Sequence, residues 1–203
     1  MRKLVIATKN EGKAREVAAL LADLPYEIVS LADYPDAPEI EETGSAFVEN
    51  AILKAKAYAE FTGELTLADD SGLEVDALGG APGVFSSRFA PTDPERNTKL
   101  LGLMKDVPDD KRAARFRCAI AIADPPLPPP LARGGIEGEV QTCEGSVEGI
   151  IAHQPKGTNG FGYDPIFYVP DLDKHMAELT SFEKNAISHR GKALEKAKAL
   201  LIR

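Results

Sequence analysis

Cysteine and histidine are scarce in this sequence. Its 203 residues include only two cysteines, Cys118 and Cys143, and three histidines, His153, His175 and His189. The cysteines lack the spacing of metal ligands, and the histidines show no i, i+4 pairing, so no zinc site is indicated. The cysteines are best explained as small hydrophobic residues, and the simplest setting for them is the reducing cytoplasm.

Long apolar runs are also absent. No stretch approaches the roughly 20 residues that span a bilayer. The apolar run at 4–7, which follows Met1-Arg2-Lys3, is too short for the core of a signal peptide and favours a first β-strand. We therefore expect no membrane partner.

An excess of positive charge is missing as well. The formal net charge of −8 argues against broad nucleic-acid binding, which needs a basic face that displaces counterions. It remains compatible with a small basic pocket for one anion held together with a divalent cation.

Helical and strand patterns interleave along the whole chain, which predicts an α/β fold with a mixed sheet. The length suits a single domain over 1–203. Thr43 is a plausible N-cap for a helix that runs to about Phe61. The predicted buried stripe of this helix is Phe47, Ala51, Ala55 and Tyr58, while Asn50 and Lys54 share another face. Strands are expected at 65–68 and 73–77 with a turn between them, and again at 136–143 and 147–151. The proline-rich segment 125–135 is predicted to be a surface loop.

The first chemical feature is the polar turn Thr8-Lys9-Asn10-Glu11-Gly12-Lys13, which lies between the first strand and an amphipathic helix. Backbone N–H groups, a hydroxyl and an ammonium at a helix N-terminus favour phosphate. The turn is not a Walker A loop, because G-x-x-x-x-G-K-[ST] occurs nowhere in the chain. Many α/β proteins have such a turn without any ligand.

Adjacent carboxylates form the second feature. Asp69-Asp70-Ser71-Gly72 follows a buried strand, and Glu41-Glu42 precedes a helix. Paired carboxylates can hold Mg²⁺ and position a water molecule. For the glutamates, capping of the helix dipole is an equally good explanation.

Two further segments combine glycine, aromatic and basic residues. The first segment is Gly157-Thr158-Asn159-Gly160-Phe161-Gly162-Tyr163-Asp164-Pro165. Its glycines permit the backbone to approach a ligand closely, and the rings of Phe161 and Tyr163 could stack on a base. The alternative is that these rings belong to the core. Ser188-His189-Arg190, shortly after Lys184, places donors at the start of the last helix. Alone, such a tripeptide is usually a solvated cap.

Together these segments resemble the inosine triphosphate/xanthosine triphosphate pyrophosphatase family, the HAM1-like pyrophosphatases of non-canonical purine nucleotides. The order of the blocks agrees with the family and spans nearly the whole chain. The blocks are Thr8-Lys9-Asn10-x-x-Lys13, Glu42-Thr43-Gly44 with Phe47 and Asn50, Ala68-Asp69-Asp70-Ser71-Gly72-Leu73, Gly80-x-Pro82-Gly83-Val84 with Ser87-Arg88, Gly160-Phe161-Gly162-Tyr163-Asp164-Pro165, and Ser188-His189-Arg190.

The resemblance implies an elongated fold of two lobes with a long central mixed sheet flanked by helices and an active site in the cleft between the lobes. It also implies a homodimer, one Mg²⁺ per subunit, and hydrolysis of ITP, dITP or XTP to the monophosphate and pyrophosphate. Many members have glycine in place of Lys9. The site residues that it implies are Asp70 and Lys13 for catalysis; Asp70 with Glu42 or Glu41 for the metal; Thr8, Lys9, Asn10, Lys13 and Lys54 for the triphosphate; Ser71 for a further substrate contact; and Phe161, Gly162, Tyr163, Asp164, Lys184, His189 and Arg190 for the base.

Three alternatives stay open. A related Maf-like pyrophosphatase would act on other nucleotides, a nucleotide sensor would bind without hydrolysis, and a general phosphatase would release orthophosphate. The role of Asp69, as a second metal ligand or as a structural acceptor, also stays open.

Overall fold

A computed structural model describes residues 1–126 and 139–202 of the protein. The strands are β1 (Arg2–Ile6), β2 (Tyr26–Ser30), β3 (Leu65–Val75), β4 (Ala113–Ala123), β5 (Val140–Ile151), β6 (Phe167–Val169) and β7 (Lys174–His175). The helices are α1 (Glu11–Leu21), α2 (Phe47–Thr62), α3 (Asp93–Leu103), α4 (Ser181–Ile187) and α5 (His189–Leu201).

The strands form a seven-stranded sheet in the order β2-β1-β3-β4-β5-β6-β7. Strand β1 is parallel to both β2 and β3, with Leu4 opposite Ile28 and Leu65. Strand β6 is antiparallel to β5 and to β7. The predicted α/β class with a mixed sheet is therefore confirmed.

The chain divides into two units. Unit 1 consists of Met1–Asp70, Ala119–Glu144 and Ala193–Arg203, and unit 2 of Ser71–Cys118 and Gly145–Lys192. Strands β3, β4 and β5 and helix α5 each contribute residues to both units. The single domain over 1–203 stays a prediction.

The core of unit 1 forms around β1, which is buried on both faces as its unbroken apolar run predicts. Helix α1 contributes Val17 and Leu21 to this core. Helix α2 contributes the stripe predicted from its spacing, which comprises Phe47, Ala51, Ala55 and Tyr58. The predicted helical periodicity is thus confirmed for both helices.

The core of unit 2 is built around aromatic and long aliphatic side chains. Phe116 of β4 and Phe167 of β6 lie with ring centroids 4.5 Å apart. Leu100 and Met104, on α3 and at its end, are fully buried in the same cluster. The 157–165 segment contributes Tyr163 to this cluster, so one of its two rings is a core residue.

Three predicted boundaries are wrong. Strand β3 continues through Asp69-Asp70-Ser71-Gly72, where a turn was expected, because residues on both of its faces are buried and keep it extended. Strand β5 is likewise one strand from Val140 to Ile151 instead of two.

The third wrong boundary is the start of α2, which begins at Phe47 and not after Thr43. The Glu49 carboxylate accepts hydrogen bonds from the backbone N–H of Ser45 (2.7 Å) and Ala46 (3.3 Å). These bonds satisfy donors that precede the first turn, and Thr43 is therefore left outside the helix.

No helix in the two described ranges is long and apolar enough to cross a membrane. Cys118 and Cys143 are both free thiols. Most of the predicted 125–135 loop, from residue 127 onward, lies outside the described residues.

Candidate functional site

The turn between β1 and α1 has the geometry of a capped helix N-terminus. Asn10 is the N-cap, and its Oδ1 accepts a hydrogen bond from the Lys13 N–H at 3.0 Å. The Thr8 hydroxyl accepts from the Asn10 N–H at 3.2 Å. Lys9 is exposed. The turn therefore offers a hydroxyl and backbone donors close to solvent, at the positive end of the 11-residue helix α1.

Two lysines meet three carboxylates within unit 1. Lys13 Nζ lies 3.1 Å from Asp69 Oδ2, and the Asp69 side chain is only 2% exposed. Lys54 Nζ lies 2.8 Å from Glu42 Oε1 and 3.8 Å from Asp70 Oδ1. Lys54 also donates to the backbone carbonyl of Asp69 at 2.7 Å. We call these five residues the lysine–carboxylate cluster.

Asn50 links this cluster to the segment before α2. Its Nδ2 donates to Asp70 Oδ2 at 3.0 Å, while its Oδ1 accepts from the Gly44 N–H at 2.7 Å. A Cβ on Gly44 would lie 2.6 Å from that same oxygen, so a larger residue would displace the amide. Sequence reasoning gave Asn50 no role, although its spacing one turn before Lys54 placed both on one face of α2.

Burial and charge oppose each other in the pKa values of this cluster. Burial raises the pKa of Asp70 above its ordinary value, and the ammonium groups of Lys54 and Lys13 only partly offset the rise. For Lys54, burial lowers the pKa, but the carboxylates of Asp70, Asp69 and Glu42 together outweigh it, and the pKa is raised. Lys54 therefore stays protonated. The raised pKa of Asp70 makes its ionised carboxylate a better proton acceptor.

The carboxylates of the cluster supply oxygen donors of the kind that Mg²⁺ prefers. Within residues 1–126 and 139–202, no three His, Cys, Asp or Glu residues form a ready-made metal site. Glu42 and Asp70 nevertheless approach the same ammonium group, and Glu41 is exposed. The chemistry of the donor set therefore fits a hard divalent cation at Asp70 and Glu42.

Unit 2 contains a second group of functional side chains around the 157–165 segment. Asp164 is 2% exposed, and its Oδ2 accepts from the Phe161 N–H at 2.9 Å and from Lys184 Nζ at 2.6 Å. Gly160 adopts a φ of +76°, and a Cβ there would lie 2.0 Å from the same oxygen. The glycine is thus required both by its backbone conformation and by the close approach of Asp164.

The Phe161 ring is the partly exposed aromatic of this segment. Lys184 Nζ lies 4.5 Å and Arg190 Cζ 5.7 Å from its centroid. Arg190 is 2% exposed and donates from Nη2 to Ser71 Oγ at 2.9 Å. Two buried cations next to one aromatic ring form an electropositive surface with a flat apolar face.

Tyr163 and His189 lie deeper in unit 2. The Tyr163 hydroxyl donates to the Ser86 carbonyl at 2.9 Å, and burial raises the pKa of this phenol. The His189 ring stacks on Phe116 with centroids 4.9 Å apart. Both side chains are buried in unit 2, and their predicted contact with a ligand stays a prediction.

Every predicted site residue therefore lies in one of two groups. Thr8, Lys9, Asn10, Lys13, Glu41, Glu42, Lys54 and Asp70 belong to unit 1, and Ser71, Phe161, Gly162, Tyr163, Asp164, Lys184, His189 and Arg190 belong to unit 2. Asp69 forms an ion pair with Lys13. The sequence alone had left the role of Asp69 undecided.

Known proteins resemble the chain over nearly its whole length. The profile of the Ham1 family matches residues 4–200. A protein of Desulforamulus reducens named dITP/XTP pyrophosphatase is 55% identical, over 99% of this chain and 96% of its own length. A solved HAM1 protein from Coxiella burnetii is 46% identical with a TM-score of 0.85, over 100% of this chain and 99% of its own. A Mycobacterium abscessus structure, described as a nucleoside-triphosphatase / dITP/XTP pyrophosphatase, is 41% identical with a TM-score of 0.74, over 96% and 98% of the two chains. These matches show that the chain belongs to the Ham1 family.

Proposed function

We propose that this protein is a nucleoside triphosphate pyrophosphatase that hydrolyses dITP, ITP and XTP to the monophosphate and pyrophosphate. Its relative in Desulforamulus reducens, 55% identical, carries the name dITP/XTP pyrophosphatase. The observation that carries the proposal is the lysine–carboxylate cluster, because a partly buried carboxylate next to two ammonium groups suits hydrolysis of a polyanion.

The phosphate end of the substrate is assigned to unit 1. Thr8, Lys9 and Asn10 of the β1–α1 turn, with Lys13 and Lys54, bind the triphosphate, because a helix N-terminus and two ammonium groups complement its charge. Asp70 accepts the proton of the water that attacks the α-phosphorus, and Asn50 orients its carboxylate. Pyrophosphate is the leaving group. Positioning and electrostatics supply most of the rate in such transfers.

The cofactor of the reaction is Mg²⁺, one ion per subunit. Asp70 and Glu42 would hold it, whereas Glu41 is the exposed member of the glutamate pair. When bound, the ion would neutralise negative charge on the phosphate oxygens. Lys54 stabilises the same carboxylates by its ion pairs.

The base is assigned to the second group of residues. Phe161 offers a face for stacking, and Gly162, Tyr163, Asp164 and Ser71 shape the site around it. Donors from Lys184, His189 and Arg190 suit the 6-oxo group of hypoxanthine or xanthine, whereas the 6-amino group of adenine would oppose a donor with a donor. Such a mismatch costs about 1–3 kcal/mol for each buried group left unpaired.

The assembly and the setting follow from the same resemblance. We propose a homodimer that acts on free nucleotides in the cytoplasm and keeps these bases out of DNA and RNA. Size measurement by light scattering tests the dimer, and a mass near 21.8 kDa would identify a monomer instead.

The test of function is product analysis with Mg²⁺ and ITP, dITP, XTP, GTP, ATP or dTTP. We expect monophosphate and pyrophosphate from the first three and little turnover of ATP, whose 6-amino group opposes the donors. We also expect little turnover of GTP, which shares the 6-oxo group, so its rejection has to come from the 2-position of the base. Asp70→Asn should lower kcat by about a hundredfold or more, because it removes the proton acceptor. Asp76→Asn is the matched control, since Asp76 is an exposed carboxylate that pairs with Arg115. Release of orthophosphate, turnover of dTTP in preference to ITP, or full activity of Asp70→Asn would each contradict the proposal.

A further inference from the structure

The backbone of Gly162 is held by two side chains from the first turns of α3. Asp93 Oδ2 accepts a hydrogen bond from the Gly162 N–H at 2.7 Å, and Asn97 Nδ2 donates to the Gly162 carbonyl at 3.1 Å. Asp93 and Asn97 are four residues apart and therefore lie on the same face of the helix. The acceptor on Asp93 and the donor on Asn97 thus pair with the N–H and the carbonyl of Gly162.

Contacts to the backbone of Gly162 determine the position of its neighbour Phe161. It follows Phe161 directly and adopts a φ of +65°, which lies in the left-handed region. On the other side, the Phe161 N–H is bound by Asp164, which also pairs with Lys184. The backbone around the Phe161 ring is therefore fixed from two directions, by Asp164 and by helix α3.

The first turns of α3 are themselves stabilised by local contacts. Its N-cap Thr92 and Glu95 form a capping box. Arg96 Nη1 pairs with Asp93 Oδ1 at 2.6 Å, and its Nε donates to the Ala90 carbonyl at 2.9 Å. Asn97 is 9% exposed, so its amide has little freedom to rotate. These contacts make Asp93 and Asn97 rigid supports for the glycine.

We propose that Asp93 and Asn97 are positioning residues for base recognition, which act through Gly162 on the Phe161 ring. This inference rests on the proposed function, because it takes Phe161 as the surface that stacks on the base. Both residues belong to unit 2, whereas the phosphate-binding residues of the proposed function belong to unit 1. Their loss therefore weakens binding of the base and leaves binding of phosphate unchanged.

The test compares two ligands that share phosphate but not base, IMP and inorganic triphosphate, by calorimetry on the intact protein. Asn97→Asp keeps the size of the side chain but places an acceptor against the Gly162 carbonyl. We expect IMP to bind roughly tenfold more weakly, as expected for one lost hydrogen bond and one unfavourable contact. Inorganic triphosphate should bind within about twofold of the parent, on the same reasoning. In turnover of ITP, KM should rise while kcat changes little.

A second pair of variants protects the test against misfolding. Asp93→Asn keeps an oxygen that can accept from the Gly162 N–H, whereas Asp93→Ala removes it. The alanine variant should weaken IMP binding about threefold or more, and the asparagine variant should restore it toward the parent value. Thr98→Ala is the matched control, because Thr98 is an exposed residue of the same helix whose hydroxyl donates to the Pro94 carbonyl.

The outcomes separate the inference from the function on which it rests. IMP binding unchanged in both Asn97→Asp and Asp93→Ala overturns the inference, even if the parent releases pyrophosphate from ITP. Equal weakening of IMP and triphosphate also overturns it, since that result indicates a general structural role. If the parent protein binds IMP but does not hydrolyse ITP, the proposed function is contradicted. The binding test then still decides the inference. A parent that binds no IMP overturns the inference, while release of pyrophosphate from ITP still decides the proposed function.

Discussion

Replacement of Gly160 by alanine is the most demanding test of the geometry around Phe161. The φ of +76° at Gly160 is strained for any residue with a Cβ, at about 1–2 kcal/mol. A Cβ would also lie 2.0 Å from Asp164 Oδ2, so that the carboxylate has to move. That oxygen accepts from the Phe161 N–H and from Lys184, and both contacts would be lost or lengthened.

The magnitude follows from the burial of the Asp164–Lys184 pair. Their side chains are 3% and 6% exposed, and breaking a buried ion pair costs about 3–5 kcal/mol. With the backbone strain, Gly160→Ala should lower the free energy of unfolding by about 4–7 kcal/mol. At about 2–4 °C per kcal/mol for a chain of this length, the midpoint of thermal unfolding should fall by at least about 8 °C.

Gly162→Ala provides the matched control in the same segment. Gly162 has a similar φ of +65°, but a Cβ there meets nothing within 4 Å. It should therefore cost only the strain of about 1–2 kcal/mol, or roughly 2–8 °C. Thermal and urea unfolding of the parent and both variants give the comparison. Equal destabilisation by the two substitutions would refute the argument that Asp164 is held against Gly160.

Two further predictions concern stability. Arg112 is 2% exposed and donates to four backbone carbonyls, two in buried bonds (Met104, Ile151) and two in partly buried bonds (Val107, Ala152). Arg112→Met should lower the free energy of unfolding, measured in urea, by about 3 kcal/mol or more, because all four acceptors lose this donor. A variant as stable as the parent would show that these bonds contribute little. The backbone N–H and hydroxyl of Thr180 lower the pKa of Glu183, so its contribution to stability is present above about pH 4.5 and is lost as the pH falls through the lowered value. Glu183→Gln should therefore unfold at a lower temperature than the parent at pH 7 and at nearly the same temperature once the pH is below the lowered pKa of Glu183, whereas a constant difference across this range would contradict the assignment.

Local patterns in the sequence predicted much of the fold. The apolar run before the Thr8–Lys13 turn and the amphipathic pattern after it predicted β1 and α1 correctly, and the capping-box spacing of Thr180 and Glu183 is realised at the start of α4. Each of these features depends on residues within one or two turns of one another, and their spacing is visible in the chain. The ordered blocks also led to the correct family.

The errors arose where neighbours in space decide the outcome. Asp69-Asp70-Ser71-Gly72 has the composition of a turn, yet β3 runs through it because β1 pairs with its first half and residues along both faces are buried. The helix expected from Thr43 begins later because Glu49 binds the N–H groups of Ser45 and Ala46. Composition alone does not indicate which of these competing arrangements is the more stable.

The sequence by itself determined which residue types carry the chemistry and in which order they occur. Only the tertiary structure decided which of them meet: that Lys13 pairs with Asp69, that Lys54 approaches Glu42 and Asp70, and that Asp164 binds Lys184. These partners are far apart in the chain, and the register of the strands and the packing of the helices bring them together. Local rules extend over a few residues, whereas pKa values, ion pairs and ligand geometry depend on distances of a few ångströms between distant segments.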